Sequence, residues 1–297
     1  MTKYVWIPSH LHGNLSWSIG DEESRCSLSR RTILYHQVND TAVCDTDHVT
    51  LADLTWQEIE SAVQGGVDTI IVPLGATEQH GPHLPVGTDT RIATALAERI
   101  ARNLEDALVA PPVPVGPSDE HAAFPGTLSI SPDTLTAVLR DYVSSFESQG
   151  FTRVVILPGH GGSFSIVDAA YAELARTEGV DLVAITRLQR YMELLDEGLS
   201  AAGIDVDEPV VHAGASETAM LLAIEPSLVE GDLPEGHTGT VSAAALFADG
   251  VETYDESGVL GDARPATAAA GEVLLEHIAD AYTAYIRDEF HELNARR

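Results

Sequence analysis

The stretch ATEQHGPHLPVGTDTR, residues 76–91, places Glu78, His80 and Asp89 within a dozen positions, broken up by glycine and proline. Further along, His160 sits in LPGHGG, and His212 and Glu217 lie in VVHAGASETAM. Carboxylates and imidazoles together suit zinc, manganese or iron(II), and the near-absence of cysteine disfavours a purely structural zinc. Three carboxylates and two histidines suffice for two divalent ions if one carboxylate bridges. Two ions about 3.5–4 Å apart can hold a bridging water, lower its pKa and polarise a carbonyl, which is hydrolytic chemistry. Other routes to hydrolysis leave no trace: neither G-x-S-x-G nor G-x-x-x-x-G-K-[ST] occurs.

Each residue also has a plainer reading. Asp89 opens a helical stretch and would serve as an N-terminal cap. Glu217 would be a first-turn acid favoured by the helix dipole. His160 between glycines is hard to explain as core packing. His83 reads as a packing or supporting residue rather than a ligand, and His237, His277 and His291 read as surface residues.

The elements that must position these groups alternate. LADLTWQEIESAVQGG (51–66) reads as a helix closed by glycines, and DTIIVPLG (68–75) as a short buried strand. TDTRIATALAERIARNL (88–104) is amphipathic, with Ile92, Leu96 and Ile100 on one face. ALVAPPVPVG (107–116) is extended, SPDTLTAVLRDYVSSFESQG (131–150) helical, and TRVVILPGHGG (152–162) a second buried strand running into a turn. A helix at 163–179, a strand at 180–188, a helix start at 216–226 and a long terminal helix at 265–290 complete the order. The expected fold is α/β: a three-layer α/β/α sandwich around a mostly parallel sheet. In such sheets the site lies beyond the C-terminal strand ends, where the polar clusters fall.

The chain has 297 residues, a 44% hydrophobic share and a net charge of −30, from 46 acidic against 16 basic residues. Lys3 is the sole lysine. A dispersed acidic surface keeps a protein soluble in concentrated salt and argues against nucleic acid or an anionic membrane as partner. The expectation is a cytoplasmic protein of a salt-accumulating cell. Residues 1–42 carry acids and bases in equal number, so the charge lies in the remainder. Residues 1–48 are therefore expected to be a leader, disordered or preceding the true start, with one domain over 49–297. Cys26 and Cys44 are too few for a disulfide framework.

The blocks VPLGATEQHGPHLPVGTDTRIA, EHAAFPGTLSISPDTL, LPGHGGS and HAGASETAMLLAIEP, in that order, resemble the creatininase (creatinine amidohydrolase) family. The resemblance runs from about residue 50 to 290 and leaves the leader without a counterpart. It implies a hexamer and a two-metal site that hydrolyses C–N bonds. It puts Glu78 and His160 on one metal and His80 on the other, with Asp89 bridging. His212 matches the histidine that handles protons at the substrate, and His121, just before FPGT, is expected to contact substrate. Creatininase itself has a glutamate ligand two residues after the histidine of its Gly-His motif; here that position is Gly162. Glu217 is then expected to complete the second metal's shell or to orient the water.

The activity implied is hydrolysis of a non-peptide amide or formamide C–N bond in a small molecule, in riboflavin or deazaflavin biosynthesis, by a metal-bridged hydroxide. A second branch of the family trims the peptide precursor of mycofactocin, and the EQHGPHLP wording leans towards it. Creatinine hydrolysis and a non-catalytic metal-binding scaffold are the remaining readings. A dinucleotide-binding oxidoreductase is disfavoured, since no G-x-G-x-x-G follows a strand.

Overall fold

The computed structural model describes residues 49–176, 179–206 and 211–296, and the expected leader lies outside them. Its strands are β1 (Thr69–Leu74), β2 (Ala107–Val109), β3 (Arg153–Pro158) and β4 (Asp181–Ala184). Its helices are α1 (Trp56–Gln64), α2 (Thr88–Leu104), α3 (Pro132–Ser148), α4 (Gly161–Leu174), α5 (Leu188–Ala201), α6 (Ala215–Ile224), α7 (Ala243–Asp249) and α8 (Ala268–Ala295).

The four strands pair in parallel in the order β2-β1-β3-β4. Alternate side chains of a strand point to opposite faces, so a strand buried on both sides is apolar throughout. Ile71, Val155 and Leu157 pack with residues of α2, α5, α6 and α8. Ile70, Val72, Val154 and Ile156 pack on the other face with α1, α3 and α4. The expected three-layer sandwich is therefore what these residues build. The chain leaves β1 through α2 to β2, then returns through α3, on the opposite face, to β3. The strand order thus reverses between β1 and β3, and a crevice opens beyond their C-terminal ends.

Several boundaries differ from the sequence expectation, each for a local reason. The stretch 51–66 is not one helix. Thr55 starts α1 with a capping box, accepting from the Glu58 N–H while its own N–H donates to Glu58 Oε2 at 2.7 Å. The extended stretch 107–116 pairs as a strand only to Val109, ahead of Pro111 and Pro112, which have no N–H to donate. The strand expected over 180–188 ends at Ala184, and Leu188 already opens α5, an element the sequence reading left unmarked. Among the described residues, no helix is long and apolar enough to cross a membrane.

Candidate metal centre

One loop and three helix starts meet at the crevice. Glu78 and His80 follow β1, Asp89 lies in the first turn of α2, and His160 is the residue before α4. His212 precedes α6 and Glu217 lies in its first turn; among the described residues no sheet strand leads into them, and His212 makes an isolated antiparallel bridge to Leu260. Two glycines let α2 reach between the strand ends. A Cβ on Gly75 would lie 2.4 Å from Thr90 Cα, and one on Gly159 would lie 2.8 Å from Ala93 Cβ. Larger residues there would push Asp89 away from the strands.

Glu78, His80, Asp89, His121, His160, His212 and Glu217 are all buried. Their polar atoms face one another. His80 Nε2 is 3.0 Å from Asp89 Oδ1 and 3.6 Å from Glu217 Oε2. His160 Nδ1 is 3.2 Å from Asp89 Oδ2 and 3.3 Å from Glu78 Oε2. Asp89 therefore offers one oxygen to each imidazole. Two ligand groups result, Glu78–Asp89–His160 and His80–Asp89–Glu217, each with ligand atoms within 4.8 Å of one another. Glu78, His80 and His212 form a third such group.

The imidazoles are aimed from behind. His160 Nε2–H donates to the Pro117 carbonyl at 2.6 Å, and His80 Nδ1–H donates to the Glu78 carbonyl at 3.2 Å. A carbonyl only accepts, so each ring turns its other nitrogen towards the carboxylates, the arrangement that metal-ligating histidines use. Glu217 is held likewise: the Ala213 N–H donates to its Oε2 at 2.6 Å. Ala213 has φ 57°, a left-handed backbone for a residue with a Cβ. Such strain clusters where function over-determines the geometry.

Among the described residues, Glu78 Oε2 and Asp89 Oδ2 are buried without a hydrogen-bond partner, although His160 Nδ1 lies close to both. Glu78 Oε2, Asp89 Oδ2 and His160 Nδ1 thus converge on one small space. Oxygen and nitrogen donors converging on one point fit divalent cations. The electrostatics agree. Burial opposes charge on His80, but Asp89 and Glu217 outweigh it and hold the imidazole well above its ordinary range. His160 is raised in the same way, against burial, by Glu78 and Asp89. Burial acts to raise Asp89 and Glu78, yet His80 for Asp89 and His160 for Glu78 reverse the sign, and both stay ionised.

The other histidines divide. Burial pushes His212 well below its ordinary range and brings His121 down to about 4. His212 Nδ1 and His121 Nε2 lie 3.8 and 3.5 Å from Glu78 Oε1, so the structure places both at the ligand cluster. His83 stays outside every ligand group and pairs through Nε2 with Thr218 Oγ1 at 2.9 Å. His237, expected on the surface, is half-buried against Tyr254, with ring centroids 5.4 Å apart. Sequence reasoning assigned no role to Gln79 or Glu120. Both are buried beside these groups, and both sit inside the motifs EQH and EHAAFPGT.

Gly162 has its own geometry. A Cβ there would lie 2.6 Å from both His160 Nε2 and the Pro117 carbonyl oxygen. A side chain at 162 would break the hydrogen bond that aims His160. Here Glu217 stands beside His80 instead.

A parallel α/β sheet with buried carboxylates and imidazoles gathered at its switch point has the build of a metal-dependent hydrolase. The chain belongs to the creatininase family, whose model, described as creatinine amidohydrolase, matches residues 52–286. It is 39% identical over 214 residues to the mycofactocin precursor peptide peptidase of Mycolicibacterium smegmatis, covering 69% of this chain and 79% of that one. It is 30% identical over 261 residues to the creatinine amidohydrolase of Pseudomonas putida, covering 82% of this chain and 97% of that one. The solved structure described as "Creatininase Mn" superposes with a TM-score of 0.67 at 28% identity, covering 82% of this chain and 99% of that one.

Proposed function

We propose that this creatininase-family hydrolase is a two-metal amidohydrolase that cleaves an amide C–N bond. Glu78, Asp89 and His160 would hold one divalent ion; His80, Asp89 and Glu217 would hold the other. The observation that carries this reading is Asp89, whose two carboxylate oxygens lie 3.0 and 3.2 Å from nitrogens of two different imidazoles. Two divalent ions would supply a Lewis acid for the substrate carbonyl and a water of lowered pKa. Three buried carboxylates offset most of the positive charge such a pair brings, so the site favours a further anion, as a hydrolytic nucleophile is.

The remaining work falls to the chain's own groups. His80 and His160 give up the protons on the nitrogens that face the carboxylates when they become ligands. His212, kept neutral by burial, donates an N–H hydrogen bond to the substrate carbonyl oxygen as charge develops there, and the proton released by the attacking water passes through Glu217 to the leaving nitrogen. Ala213 N–H holds Glu217 Oε2 in its position. His121 lies beside Glu78 and His212, placed to touch the bound amide.

On substrate, the 39% identity to a precursor-peptide peptidase favours the amide bond of a short peptide. A small-molecule amide or formamide is the second reading, supported by the creatinine amidohydrolase aligned over 97% of its length. Gly162 argues against creatinine itself, because the glutamate expected of creatininase has no room there. The test is amine release from panels of short peptides, formamides and creatinine, with chelator-treated and metal-reconstituted protein. Chelator-sensitive release from peptides supports the favoured reading, and release from a small amide alone moves it to the second. Protein holding two metals that releases amine from no panel defeats it.

A further inference from the structure

Gln79 lies between the two ligands Glu78 and His80 and is itself buried, at 6% exposure. Its amide orientation is set by two backbone groups of opposite character. The Gly81 N–H, which can only donate, meets Oε1 at 2.9 Å. The Gly258 carbonyl, which can only accept, meets Nε2 at 3.1 Å. The amide nitrogen is therefore the atom that faces His212 Nε2 at 2.8 Å and His121 Nδ1 at 2.9 Å. The two hydrogens of this NH2 are shared among the Gly258 carbonyl and the two ring nitrogens, and the group has no acceptor, so neither ring nitrogen can place a proton towards it.

We propose that Gln79 is a positioning residue that fixes the tautomers of His121 and His212. Its amide leaves His212 Nε2 and His121 Nδ1 bare. The ring protons then sit on His212 Nδ1 and His121 Nε2, which lie 3.8 and 3.5 Å from Glu78 Oε1. Both protons are presented to the side where the ligands gather. The atom of His212 that can donate a hydrogen bond to bound substrate is thus Nδ1. The loop carrying Gly258 is built to hold this clamp. With φ at +82°, a Cβ on Gly258 would lie 2.1 Å from Gln79 Oε1 and 2.6 Å from its Cδ. Only glycine lets the loop close on the amide. The tautomers are a property of these side chains alone; their effect on turnover rests on the amidohydrolase reading.

The test is long-range nitrogen–proton NMR of zinc-loaded, histidine-labelled protein, assigned with His121→Asn and His212→Asn, together with kinetics of Gln79→Glu. The wild type is expected to show His212 protonated at Nδ1 and His121 at Nε2. Gln79→Glu keeps the shape but only accepts, so both tautomers should reverse. Its kcat should fall by about 100-fold or more, with KM within about threefold and metal content unchanged. Wild-type His212 protonated at Nε2, or Gln79→Glu with kcat within about threefold of wild type, overturns the proposal. If Gln79→Glu does not fold, the wild-type spectrum decides. If no substrate is turned over, that spectrum still tests the tautomers, while the amide panels test the activity separately.

Discussion

Glu217 Oε2 lies 3.6 Å from His80 Nε2, on a carboxylate held four residues back in the chain by the Ala213 N–H. One acid thus meets His80 from the start of α6, and on the proposed reading it stands in for a side chain at position 162. Glu217→Gln should reduce bound metal from two ions towards one and lower activity by about 100-fold, read by elemental analysis and amine release. Adding Gly162→Glu to that variant should not restore either quantity, since the new Cβ would collide with the His160–Pro117 hydrogen bond.

Stability against pH should run in opposite directions with and without metal. In the metal-free chain His80 and His160 have raised pKa values. Their contribution is fully present below the unfolded imidazole pKa of about 6.5 and is lost as pH rises through the raised folded values. Asp89 is depressed, so its contribution is present above about 3.8 and is lost as pH falls through its lower folded value. Chelator-treated protein should therefore lose Tm as pH rises above about 6.5. Metal-loaded protein should gain Tm over the same range, because ligand imidazoles must shed protons to bind. Parallel slopes in melting scans of the two forms would contradict this.

Packing of α6 on α8 depends on Gly271. A Cβ there would lie 1.9 Å from the Ala219 carbonyl oxygen. Gly271→Ala must push the helices apart, at a cost of about 1–3 kcal/mol, or a Tm lower by about 5 °C. Since α6 carries Glu217, metal content should drop with it. A thermal melt and elemental analysis of the variant check both effects.

The net charge of −30 makes the chain repel itself in dilute salt. At about 1 M salt the screening length shrinks to about 3 Å. The Tm should rise steadily between about 0.1 and 2 M KCl, and a flat or falling profile would remove the case for salt adaptation.

The candidate site was legible wherever its residues follow an apolar strand or open a helix. Glu78, His80, Asp89 and His160 all do so, and glycines mark their turns. Fold class came from the alternation of TIIVPL and RVVILP with helical periods. What stayed hidden leaves no side-chain signature. The partners that aim His80 and His160 are the backbone carbonyls of Glu78 and Pro117, and any residue carries a carbonyl. Helix α5 was masked because Leu188 starts it close behind β4 and Arg187 gives no side-chain cap. The role of Gln79 depends on Gly258, 179 residues away, so nothing local could announce it.

Metal stoichiometry of the full chain beside its Asp89→Asn variant tests the central claim most directly. If Asp89 joins two ligand groups, the wild type holds two divalent ions per chain and the variant falls to about one or fewer, with amine release lost. A wild type that binds no divalent metal, or an Asp89→Asn variant that still holds two and turns over, contradicts the account.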